Sequence, residues 1–227
     1  MNKLIIGVPC KNDLKPMQLM IDSLLNSTNT FDELYFVDGG STDGTLEWLK
    51  YLVQIDKRFN LIECNTPTPI EAYNILFNLA KEKQSDLLLT QTDVVFPRCL
   101  EKDWLLEMKQ IAQSETVGAV TCLNGGGVSG KDYIEGFNWL GGWCSYYPLR
   151  TIERVGGYDI TYPNGYGVDI DHTYRIIESK LQIIYTNYWV NHHQMNNREH
   201  DRNPNSEQMK QDSAKYFRRK YLHEQLD

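Results

Sequence analysis

Residues 33–50 read ELYFVDGGSTDGTLEWLK. Leu34, Tyr35, Phe36 and Val37 make an apolar run of strand length that stops on Asp38, and Leu46, Leu49, Leu52 and Val53 return at helical spacing. The glycines, hydroxyls and second acid between them predict a tight strand-to-helix turn. Gly39 and Gly40 allow backbone angles closed to other residues and let a ligand approach, while Ser41, Thr42 and Asp43 are good helix N-caps. Three phosphate and metal loops are excluded. A P-loop needs a lysine where Thr45 stands, a dinucleotide fingerprint needs a glycine where Ser41 stands, and a calcium loop from Asp38 needs a glutamate where Leu49 stands. Asp38 is left as an acceptor at a strand's carboxyl end, suited to the ring or ribose donors of a nucleoside. The same residues also describe a well-capped turn that holds nothing.

Working outward, residues 3–9 (KLIIGVP) predict a first strand, and a helix opens at Pro16 with Met17, Met20, Ile21, Leu24 and Leu25 on one face. Residues 61–63 predict a short strand, Ile70, Tyr73, Leu76, Phe77 and Ala80 a helix, and residues 86–91 (DLLLTQ) a buried strand. This alternation implies an α/β layer structure with a largely parallel sheet, whose ligand site lies beyond the carboxyl ends of the strands. Asp38, Asp93, Pro9 and Cys10 all fall at such ends. Beyond residue 95 the pattern changes to a helix over about 99–113, a strand over 118–122, and a glycine- and aromatic-rich region over 133–174. Its rings either suit sugar faces or belong to the core. A polar helix over about 206–223 closes the chain.

The chain has 227 residues, enough for one large domain with a substantial core. Its net charge of -7 argues against a nucleic-acid partner. MNKLIIGVPCKND is expected to be a strand rather than a signal peptide or span, and no other segment reaches membrane length. Cys10, Cys64, Cys99, Cys122 and Cys144 contain no C-x-x-C pair, which predicts reduced thiols and a cytoplasmic location. Lys215, Arg218, Arg219 and Lys220 form either a solvated face or a contact for anionic lipid.

Four segments now stand in order: GVPCKN, VDGGSTDGT, TQTDVVFP, and LGGWCSYYPLRTIERVGGYD followed by GYGVDIDHTYR. Together they resemble the family 2 glycosyltransferases, over residues 3 to about 193. The resemblance implies a GT-A fold: a Rossmann-like, mostly parallel central sheet flanked by helices, with a mixed acceptor-side half. It implies one domain over 1–227, divided into a nucleotide-sugar half (1–95), an acceptor half (96–195) and a polar tail (196–227). It also implies an inverting, metal-dependent transfer from a nucleotide-diphosphate sugar, with UDP expected, to a glycan or lipid-linked hydroxyl.

Carried onto this sequence, the resemblance sets the nucleoside against Pro9, Cys10 and Asp38, and turns Ala72 and Asn74 toward the donor. The family's D-x-D metal motif reads Gln91-Thr92-Asp93, so one carboxylate has become an amide. Mn²⁺ or Mg²⁺ takes oxygen ligands from diphosphate and water, so Asp93 can suffice at lower affinity; alternatively Asp93 caps the turn before Pro97. Asp169 matches the family's general base, and Asp171 is a cap or a supporting partner. His192 or His193, with His192 preferred, stands where relatives reach the metal or diphosphate. Gly142 and Trp143 match the donor-sugar pocket, Trp143 as a stacking platform. Two other readings are a non-catalytic sugar-nucleotide or glycan binder, which the Gln91 substitution motivates, and a sugar-1-phosphate nucleotidyltransferase. The second wants a Gly- and Arg-rich loop that residues 9–13 lack.

Overall fold

The structure is a computed structural model that describes residues 2–64, 68–97, 102–124, 139–162, 165–192 and 205–223. Four parallel strands form its first half: β1 (Lys3–Cys10), β2 (Glu33–Asp38), β3 (Phe59–Glu63) and β4 (Ser85–Thr90). Helices α1 (Leu14–Leu25), α2 (Thr45–Ile55) and α3 (Pro69–Glu82) connect them. The second half comprises β5 (Val94–Val95), α4 (Trp104–Ile111), β6 (Val117–Asn124), β7 (Cys144–Tyr147), α5 (Leu149–Val155), α6 (Val168–Glu178), β8 (Gln182–His192) and α7 (Ser206–Tyr221).

The strands run in the order β3-β2-β1-β4-β7-β6-β8-β5. β7 is antiparallel to both β4 and β6, and β8 runs parallel to β6. Because β7 enters where β4 leaves, Cys144 pairs with Thr90. Cys10 pairs with Asp38 one step along the same edge. The ends of β1, β2, β4, β6 and β8 therefore share one edge with the start of β7, and this edge carries the site.

Strand periodicity divides the core in two, since successive side chains point to opposite faces. Leu4, Ile6, Val8, Leu34, Phe36 and Leu88 pack with α1, α2 and α4, whereas Ile5, Tyr35, Val37, Leu87 and Leu89 pack with α3, α5, α6 and α7. Helix α3 has strong start signals: Thr68 and Glu71 form a capping box around Pro69 at the first position. It lies so close to the sheet that a side chain at Gly7 would meet Leu76 at 2.8 Å.

Several boundaries differ from the sequence expectation. α1 begins at Leu14, two residues before Pro16, which sits in its first turn where its missing N–H has no helical acceptor to lose. α4 is confined to Trp104–Ile111 because the Asp103 carboxylate accepts from the amides of Leu105 and Leu106 and fixes its start; Cys99, inside the longer expected helix, lies outside the described residues. β7 and β5 have no counterpart in the expectation, being short elements whose apolar residues are too few to show a period. α7 ends at Tyr221 rather than 223. No described helix is long and apolar enough to cross a membrane.

Candidate active site

The turn after β2 is built on Asp38, which is 1% exposed. Its Oδ2 accepts from the amides of Gly40 and Ser41, each at 2.9 Å, and its Oδ1 accepts from the Ser41 hydroxyl at 2.5 Å. Gly40 at φ 86° and Gly44 at φ 95° supply the left-handed geometry this wrapping needs. Ser41 in turn accepts from the Asn12 amide, and Thr45 from the Asp13 amide. The turn is thereby knitted to the end of β1. Asp43, expected to cap α2, sits one residue before the N-cap position and accepts from the Thr45 amide and hydroxyl at the start of α2 and from the Leu14 amide at the start of α1. Gly44 holds the N-cap position of α2 with no side-chain cap.

Beside Asp38, Cys10 is buried with its thiol 3.6 Å from the Val37 carbonyl oxygen. Burial, then the charges of Asp38 and Asp13, push the Cys10 thiol well above its usual range, so it is unsuited to nucleophilic chemistry. Pro9 is half-buried, in register with Val37. The described cysteines Cys10, Cys64, Cys122 and Cys144 are all free thiols.

The Gln91-Thr92-Asp93 segment leaves β4 at the same edge. The Thr92 hydroxyl donates to Asp13 at 2.8 Å, which joins this segment to the first turn. Gln91 donates through Nε2 to the Tyr73 hydroxyl at 3.3 Å, while its Oε1 is buried without a hydrogen-bond partner. Asp93 is buried, directly before β5, whose Val94 pairs with His192 of β8. The His192 side chain and the whole of His193 lie outside the described residues. Gly142 packs against Gln91: a Cβ there would lie 3.1 Å from Gln91 Nε2. The Trp143 indole covers Gly141 so closely that no side chain fits there, and its Nε1 donates to the Cys122 carbonyl at 3.2 Å.

Asp169 is in the first turn of α6, half-buried. Burial pushes its carboxyl up to about 6, against hydrogen bonds from the Ile170 amide and the Trp139 side chain that favour the charged form. α6 is fixed to the approach to β7, because the Thr173 hydroxyl donates to the Asp169 carbonyl and accepts from the Leu140 amide. The ring of Tyr73, which holds Gln91, lies 5.2 Å from that of Tyr158; burial raises the Tyr147 and Tyr158 hydroxyls above their usual range, and Asp169 and Tyr73 add to it. One continuous set of contacts thus runs from Asp38 through Asp13, Thr92 and Gln91 to Tyr73 and the surroundings of Asp169.

Ala72 and Asn74 lie on α3, apart from that set of contacts. Ala72 is buried in the core, and the Asn74 carboxamide donates to the Tyr158 carbonyl at 2.9 Å while accepting from the Tyr158 amide at 2.7 Å. It pins the Gly156-Gly157-Tyr158 loop to α3. Asp171, two residues from Asp169, is 0% exposed and turns away from the cleft. It receives Arg175 Nε at 2.7 Å, Lys220 Nζ at 2.7 Å and the Tyr221 hydroxyl at 2.6 Å. Burial opposes the charge of Lys220, but Asp159 and Asp171 hold its pKa above the usual lysine value. Lys220 is therefore turned inward to these acids and is no part of an exposed basic face. His172 is buried among Phe77, Tyr147 and Tyr158 at 5.2, 5.2 and 5.3 Å between ring centres. Burial, then the charge of Arg175, lower its pKa to about 3, so the ring is neutral and donates through Nε2 to the Gly156 carbonyl.

Sequence reading missed Tyr73 and Trp139 as partners of Gln91 and Asp169. Both were assigned to the helix face or to the general aromatic content, and neither has a local signal for its contact across the fold. A shallow concavity of about 500 Å³ involves Arg175, Lys220, Tyr221 and the C-terminal half of α6. It is apart from the strand ends, and its two inward cations are already paired with Asp171.

The chain and its fold are similar to known proteins. Residues 5–126 match the family model described as "Glycosyl transferase family 2". No curated protein matches the chain by sequence. Among solved structures, a mannosyltransferase from Pyrobaculum calidifontis in complex with GDP-Man and Mn²⁺ is similar at 18% identity and TM-score 0.64, covering 83% of this chain and 56% of its own. GalNAc-T7 with UDP, GalNAc and Mn²⁺ is similar at 11% identity and TM-score 0.69, covering 85% of this chain and 44% of its own. TarS of S. aureus is similar at 13% identity and TM-score 0.60, covering 82% and 36%. The chain thus has the GT-A fold while spanning about a third to a little over half the length of these neighbours.

Proposed function

The chain belongs to glycosyl transferase family 2, and from that premise we propose that it moves a sugar from a nucleotide-diphosphate donor to an acceptor hydroxyl with inversion, Asp169 acting as general base. The observation that carries this reading is the Asp169 carboxyl, half-buried at the start of α6 and pushed up to about 6. A base of that strength is charged at neutral pH yet basic enough to accept a hydroxyl proton as it becomes acidic. The acceptor oxygen forms a bond to the anomeric carbon, the bond from that carbon to the diphosphate oxygen breaks, and the acceptor proton passes to Asp169. The pair of electrons leaves with the nucleoside diphosphate, and attack from the opposite face inverts the centre.

The nucleoside lies at the end of β1 and β2. Asp38 accepts from two amides and a hydroxyl of its own turn, with the Cys10 thiol 3.9 Å from Oδ1, and so shapes the loop against which the nucleoside rests. Gln91, Thr92, Gly142 and Trp143 line the donor side, and Ala72 and Asn74 support it by seating α3 and the loop at 156–158.

The residues fit a divalent cation bound mainly by its substrate. No three His, Cys, Asp or Glu side chains converge as a cage among the described residues, but Gln91 Oε1 is a buried acceptor without a partner beside the acid Asp93. Asp93 and Gln91, with His192 as the third candidate, would hold Mn²⁺ or Mg²⁺, which when bound offsets negative charge on the leaving diphosphate. The Gln91 substitution also favours a second reading, a sugar-nucleotide binder without turnover.

Calorimetry and a turnover assay with UDP- and GDP-sugars, each with and without Mn²⁺, separate the two. Product with inverted configuration supports the transferase. Saturable donor binding with no product in any combination, hydrolysis included, establishes the binder and overturns the transferase.

A further inference from the structure

β8 carries an exposed face of aromatic and carboxamide side chains. Along Gln182–His192 burial alternates: Thr186 and Val190 are buried and Tyr188 is half-buried, whereas Tyr185, Asn187, Trp189 and Asn191 are exposed. The inward residues have partners, as Tyr188 shows by donating to Glu107 of α4 at 2.7 Å. The outward ones include two of the larger exposed apolar side chains, Trp189 at 58% and Tyr185 at 38% exposure. The strand residues from 182 to 191 include no charged side chain, in a protein of net charge -7. Pairing between β6 and β8 shifts register between Tyr185 and Trp189, an irregularity of the kind that re-aims side chains near functional sites.

We infer that this face of β8 is an acceptor track that binds an extended, neutral glycan, with Trp189 and Tyr185 as ring platforms and Asn187 and Asn191 as hydroxyl partners. Two features choose this occupant. The face pairs aromatic rings with carboxamides and no charge, which matches a ligand that offers C–H faces and hydroxyls but no ionic group. Among strand residues 182–191 an anionic lipid, polyanion or acidic protein would find no cation. The strip is also continuous with the candidate active site, because Asn191 and His192 pair with Val95 and Val94, the two residues following Asp93. Tyr185 and Trp189 pair with Thr121 and Leu123, two residues apart on β6, so the two platforms are set roughly 7 Å apart along the sheet, and a chain resting on both leads on past Asn191 toward the strand ends. The face is thus a place where an acceptor of at least two sugars is held. What happens to its leading hydroxyl rests on the transferase reading, whereas binding to the strip does not.

The test uses the full chain with neutral hexasaccharides of glucose, N-acetylglucosamine and mannose, plus an acidic uronic-acid hexamer. Binding is followed by tryptophan fluorescence and calorimetry for the unaltered protein, Trp189→Ala, Trp189→Phe and Tyr185→Ala. At least one neutral hexasaccharide is expected to bind, the corresponding disaccharide to bind more weakly, and Trp189→Ala to weaken binding by about tenfold or more, with Trp189→Phe restoring most of it. Donor hydrolysis without acceptor is expected to be unchanged in all three variants, which separates failure of the track from failure of the transferase reading. The inference is overturned if no neutral hexasaccharide binds, if the acidic hexamer binds best, or if Trp189→Ala binds like the unaltered protein. It is also overturned if sedimentation shows that the face joins two copies of the chain and Trp189→Ala separates them.

Discussion

The turn at residues 38–45 and the first turn of α6 both present aspartates near one sheet edge, yet they treat the carboxylate in opposite ways. Asp38 accepts two amides and a hydroxyl from its own turn. Asp169 accepts from the Ile170 amide, its own amide and the Trp139 side chain, yet burial outweighs them and pushes its carboxyl up to about 6. A carboxylate wrapped by its own turn serves to shape a loop, and one whose burial outweighs its hydrogen bonds has the proton affinity the proposed base needs. Two residues further on, Asp171 shows a third outcome, a fully buried charge held by Arg175, Lys220 and Tyr221.

The sharpest test of this contrast is Asp169→Asn. Transfer is expected to fall by about 10²- to 10⁴-fold, measured as kcat with saturating donor, while the fold persists. Retained turnover would remove the contrast entirely. Its pH dependence follows from the raised pKa: kcat/KM of the unaltered protein should rise with pH through about 6 as Asp169 loses its proton. For stability the sign is reversed. The folded form holds this proton more tightly than the unfolded form, so the favourable contribution is complete below about pH 4 and is lost as pH rises through about 6. Asp169→Asn should therefore stabilise the protein at pH 7.5 by about 1–3 kcal/mol and leave it unchanged near pH 4, read from urea unfolding.

Asp171→Ala should act in the opposite sense. Removing the acid leaves Arg175 and Lys220 short of a buried partner, and the expected loss is about 3–5 kcal/mol at neutral pH. Equal urea midpoints for this variant and the unaltered protein would show that α7 contributes nothing to the fold through that contact. Asp38→Ala is expected to cost about 2–4 kcal/mol through the amides of Gly40 and Ser41 left without an acceptor. Nucleotide affinity weakened with stability intact would instead make Asp38 a ligand group alone. The smallest effect belongs to Tyr73→Phe, which removes the partner of Gln91 Nε2. About 1 kcal/mol, or roughly fivefold, is expected in donor KM, with kcat little changed.

Much of the first half was legible because its signals are local. The apolar runs at 3–9, 34–37 and 86–91 are each interrupted by turn residues, and the helices between them carry one apolar face, so alternation alone predicted a parallel sheet with acids at its ends. The placement of Asp38 beside Cys10 follows from that parallel register. The second half was less legible. β7 is four residues long and antiparallel, and its aromatic residues Tyr146 and Tyr147 read equally well as ligand platforms or core; both prove to be buried. Nothing in the neighbours of His172 in sequence announces the ring cage formed by Phe77, Tyr147 and Tyr158.

The sequence by itself determined the layer order, the strand-end acids and the family, because periodicity, turn chemistry and motif order are properties of neighbouring residues. Tertiary structure alone decided which acid is saturated, which is buried against its charge and which is ion-paired. Those states depend on donors and dielectric supplied by residues far away in the chain: Asn12 for the turn at Asp38, Trp139 for Asp169, and Lys220 for Asp171.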